Sequence, residues 1–70
     1  MLYEFVVRSR MSELAAAAFP ELTAEYSAAR GTTSLFGRIV DQTQLRGLLA
    51  RFDSMSFEIV ELRQLPEYTA

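Results

Sequence analysis

The chain has 70 residues, half of them apolar and 23% charged, with a formal net charge of −2. It is too short for two domains, and too apolar and too weakly charged to stay disordered. It contains no cysteine and no histidine, which excludes disulfides, thiolate nucleophiles, the usual Cys/His zinc sites and imidazole bases.

Tyr3, Phe5 and Val7 alternate with Glu4, Val6 and Arg8, a period of two that predicts a first strand over Leu2 to Val7. Met1 enters this segment directly, without the basic start and longer apolar run of a secretory signal, so a cytoplasmic location is expected. Ser9 or Ser12 is placed to cap a helix, with Glu13 in its first turn. Ala15 to Ala18 give it strong propensity, and Pro20 stops it at Phe19, predicting a helix over roughly residues 11–19. The longest apolar helical stretch, Leu14 to Phe19, is far short of the roughly 20 residues of a membrane span.

Ala24 to Arg30 and Ser34 to Val40 read as two strands of a hairpin joined at Arg30-Gly31-Thr32-Thr33. The first is alanine-rich and belongs at a sheet edge. Asp41 and Gln44 fit a capping box, and Leu45, Leu48, Leu49 and Phe52 form one apolar helix face. Gly47 costs this helix about 1 kcal/mol relative to alanine; close approach to the sheet is one reason to keep it, chance another. Phe57 to Leu65 is a last strand of mixed parity, which predicts a bulge or burial on both faces. Pro66 ends it. Residues 1–66 form one domain, and 67–70 read as a loose tail.

The order β-α-β-β-α-β is the split β-α-β pattern, ferredoxin-like in topology. It predicts an α+β fold with two helices on one face of a four-stranded antiparallel sheet, in strand order 4-1-3-2. The expected helix-facing core is Tyr3, Phe5, Val7, Leu14, Ala17, Ala18, Leu22, Leu35, Ile39, Leu45, Leu48, Leu49 and Phe52, with part of the last strand. Gly37, in the row of Leu35 and Ile39, is expected to make room for a helix. On the uncovered face, Glu4, Val6 and Arg8 meet Phe36, Arg38 and Val40. Val6, Phe36 and Val40 form an apolar patch framed by Arg8, Arg38 and Glu4, and Val6, Arg8, Phe36, Arg38 and Val40 are the candidate interface.

The chain resembles ferredoxin-like small domains, and more narrowly the short uncharacterised βαββαβ proteins of actinobacteria. The residues that carry this are Tyr3-Glu4-Phe5, Ala18-Phe19-Pro20-Glu21-Leu22, Asp41 to Arg51, and Leu62-Arg63-Gln64-Leu65-Pro66. The resemblance implies the fold and no functional residue.

The composition and patterning predict a non-catalytic protein-interaction module, a homodimer formed through the open sheet face. An alternative is a small-ligand regulatory domain similar to ACT domains, with Arg8 or Arg10 holding a carboxylate; its strand-helix turn lacks the glycine those domains often use. An enzyme of the dimeric α+β barrel kind has less support, because no carboxylate pair has acid/base spacing and Tyr3 belongs to the core. RNA binding would need two or three exposed aromatics on the central strands; only Phe36 is so placed, and the chain is acidic overall. No cofactor and no metal are expected, since the acids are scattered rather than clustered. The expected partner is a second copy or another protein, not a membrane or nucleic acid.

Overall fold

The computed structural model describes residues 1–67. Its elements run β1 (Leu2–Val7), α1 (Glu13–Ala16), β2 (Thr23–Ser27), β3 (Thr32–Arg38), α2 (Gln42–Ser54) and β4 (Ile59–Leu65). The four strands form one antiparallel sheet in the order β2-β3-β1-β4, the expected ferredoxin-like topology. The helix side carries the core of Phe5, Val7, Met11, Phe19, Leu35, Ile39, Leu48 and Phe52.

α1 is a single turn, much shorter than its alanines suggest. Ser12 caps it by accepting from Ala15 N. Beyond it the amides of Ala18 and Phe19 bond three residues back, to Ala15 O and Ala16 O, and Pro20 cannot continue the helix. This tightening turns Phe19 inward, where its ring stacks on Phe52 at 4.3 Å between centroids. An isolated short helix is marginal even when alanine-rich, so burial of one aromatic outweighs a further turn. Two expected core residues are thereby corrected. Leu14 is 86% exposed and Ala17 is exposed; Met11 and Phe19 hold the places expected of them.

The hairpin is displaced toward the N-terminus of its expected limits. Ser27 pairs with Thr32, and Gly31 sits at φ +67° in the turn, a conformation that favours glycine. β3 ends at Arg38, so Val40 is not a strand residue: Ile39 N donates to Met1 O, and Val40, 79% exposed, precedes the cap of α2. Asp41 Oδ1 accepts from Gln44 N at 2.9 Å. Gln44 Oε1 reaches back to Val40 N at 2.8 Å, one residue before the cap. Leu48 and Phe52 are the buried residues of α2.

Two glycine expectations are also revised. A Cβ on Gly37 would lie 2.6 Å from Glu21 O, so Gly37 admits the backbone of the turn before β2, not a helix. A Cβ on Gly47 would meet nothing within 4 Å, so no close approach explains that glycine. The expected irregularity in β4 is a bulge: Val6 pairs with Glu61 but Val7 with Ile59, leaving Val60 over. Glu67, the first residue of the expected tail, pairs with Arg38 and lies 3.8 Å from Met1 N. Residues 68–70 of the expected tail lie outside the described residues.

Candidate functional site

Directly opposed residues in a sheet share a face. Phe5 and Val7 point into the core, so Leu2, Glu4 and Val6 point to the open face. The register then places Thr23, Phe36, Glu4 and Arg63 in one row across all four strands. Glu25, Ser34, Val6 and Glu61 form the next row, and Arg38, Leu2 and Leu65 flank the first on its other side.

Phe36 is opposite Glu4 and diagonal to both Leu2 and Val6, within reach of an aromatic side chain. Leu65 adjoins Leu2. Leu2, Val6, Phe36 and Leu65 are half-buried and form a continuous apolar strip on the uncovered face.

The charges at the two ends of this face and on β4 are paired, whereas Glu25 has no ion-pair partner among the described residues. Arg63 Nε donates to Glu4 Oε1 at 2.8 Å and lies 3.8 Å from Glu61. The hydrogen bond and charge of Glu4, with the charge of Glu61, hold the Arg63 pKa above its ordinary value. Arg8 Nε lies 3.3 Å from Glu58, and Arg38 donates to Glu67. At the molecule's other side, Arg51 donates to Ala18 O and to Glu21 Oε1, both at 2.9 Å. The Glu21 carboxyl is held below the ordinary carboxylate range, first by a backbone hydrogen bond of Glu21 itself and then by Arg51, against the opposing effect of partial burial.

Of the five candidate interface residues, Val6 and Phe36 lie on the open face, with Arg38 at its end. Arg8 lies just beyond β1, bonded through its amide to Glu58 O. Val40 lies past the end of β3 and has no cross-strand partner in the register. Its place in the strip belongs to Leu2 and Leu65, which the parity of the first strand and the register of the last would reveal together. The Glu4–Arg63 pair depends on the same register and has no signal in local spacing. Among the described residues there is no enclosed cavity, no group of three acids able to hold a metal, and no helix long and apolar enough to cross a membrane.

A family model described as a domain of unknown function (DUF8691) matches residues 2–63. No curated protein and no solved structure matches the chain.

Proposed function

We propose that this chain, which belongs to the DUF8691 family of unknown function, is a non-catalytic protein-interaction module that self-associates through its open sheet face. The observation that supports it is the half-buried strip of Leu2, Val6, Phe36 and Leu65 on a sheet whose helices cover only the other side. A contiguous apolar strip framed by polar residues is the usual character of an interaction site. Arg8 and Arg38 stand at its ends, where arginine is favoured at interfaces. A second copy fits most economically, because an isologous contact uses the same strip twice.

Sedimentation velocity over a wide concentration range tests this. The wild-type chain is expected to sediment as an oligomer. Phe36→Arg is expected to reduce the size of that oligomer while leaving the far-ultraviolet circular dichroism unchanged. A strictly monomeric wild-type chain, or a Phe36→Arg variant that assembles like wild type, overturns the open-face contact.

A further inference from the structure

Among the described residues β4 is an edge strand, paired on one side with β1 and with no strand on the other. Edges of this kind are templates for another strand, and charges usually blunt them. Here the charges have a particular order. Glu61, Leu62 and Arg63 run consecutively, with the two charged residues on the open face and Leu62 opposite Phe5 on the helix side. Leu62 and the neighbouring Val60 are each 40% exposed, so the helices leave this edge uncovered.

An antiparallel copy of β4 centred on Leu62 places Leu62 opposite its own equivalent. Glu61 then falls opposite the second copy's position 63, and Arg63 opposite position 61. Two opposite-charge cross-strand pairs form symmetrically on one face, with a leucine pair between them on the other. Centring one register step away, on Glu61 or Arg63, sets like charges against each other. Arg63 is already held at the edge through Nε by Glu4, and its terminal guanidinium nitrogens carry further donors. The other edge has no such pattern: β2 carries Glu25 and no basic residue.

We infer that the bare edge of β4 pairs antiparallel with β4 of a second copy, in the register that opposes Glu61 to Arg63 and joins two sheets into one of eight strands. This contact is separate from the open-face contact and does not depend on it. Its dyad stands normal to the sheet, whereas a face-to-face dyad lies in the plane between two sheets. The two contacts use different surfaces of the chain, and one copy can make both.

The test is run in the Phe36→Arg background, so that the open face does not contribute. This chain is expected to dimerise reversibly. Adding Glu61→Arg, or adding Arg63→Glu, sets like charges opposite each other and is expected to give monomers with unchanged circular dichroism. Mixing those two monomeric variants restores opposite charges at both positions and is expected to give a heterodimer. Glu61→Arg keeps the Glu4–Arg63 pair, so its loss of dimer is read free of that contact. A monomeric Phe36→Arg chain, a dimer that persists in both charge variants, or a mixture that stays monomeric overturns the edge contact. The open-face proposal fails on a different result, a Phe36→Arg variant that assembles like wild type.

Discussion

Thr33 is the one buried polar residue among the described residues, and its hydroxyl both donates and accepts. It donates to Ser9 O at 2.6 Å and accepts from Met11 N at 3.1 Å. It thereby satisfies a loop that has no ladder of its own and seats Met11 in the core. Thr33→Val keeps the shape and removes both bonds. A buried group left unsatisfied costs about 1–3 kcal/mol, and chemical denaturation is expected to show a loss in that range. Gly37 acts by absence. Alanine there meets the Glu21 carbonyl oxygen and Leu22 Cδ2 at 3.0 Å, and such overpacking costs about 1–3 kcal/mol. Thermal unfolding of Gly37→Ala is expected to show it as a lowered midpoint. Leu48, fully buried on α2, is expected to cost about 2–5 kcal/mol as alanine through the cavity left behind.

Among the elements, the two helices depart from local propensity in opposite directions. α1 is rich in alanine yet stops after Ala16, because turning Phe19 inward is worth more than extending an exposed helix. Leu14 on its outer side therefore contributes little, and Leu14→Lys is expected to change stability by no more than about 0.5 kcal/mol. Had Leu14 been in the core, the loss would be several times larger, so one denaturation curve separates the two placements. α2 carries a glycine in its middle yet persists, held by its Asp41 cap and by Leu48 and Phe52. Gly47 has open space around it, so Gly47→Ala is expected to stabilise the chain by about 1 kcal/mol.

Across the whole molecule, Arg51 joins the end of α2 to the segment that follows α1. Its guanidinium stands 5.4 Å from the centroid of the Phe19 ring while bonding Ala18 O and Glu21. The Glu21 pKa, lowered first by a backbone hydrogen bond of Glu21 itself and then by Arg51, gives this corner a pH dependence of definite sign. A carboxyl more acidic in the folded than in the unfolded chain adds stability above its unfolded pKa. That contribution is lost as the pH falls through the lower folded value. Wild type is therefore expected to lose more stability than Glu21→Gln between neutrality and about pH 3, as read by denaturant titration at each pH. On the opposite surface lie the open strip and the β4 edge, the two contacts proposed for assembly, and the variants described above separate them.

Period-two alternation in the first strand, the Asp41 cap and the spacing of Leu45, Leu48, Leu49 and Phe52 are local features. They are set by backbone geometry, so the element order, the ferredoxin-like topology and the placing of Val6 and Phe36 on the uncovered face are legible in the linear pattern. Contacts between distant segments decided the rest. The inward turn of Phe19 shortened α1. Hydrogen bonds between Met1 and Ile39 carry the β1–β3 pairing one step past Arg38, and Val40 lies beyond it, exposed before the cap of α2. The bulge at Val60 fixed which residues of β4 meet Glu4 and Leu2. Strand register is a choice among pairings separated in sequence, and no window of neighbouring residues contains both partners. The Glu4–Arg63 pair and the Leu2–Leu65 extension of the strip consequently belong to the tertiary structure alone.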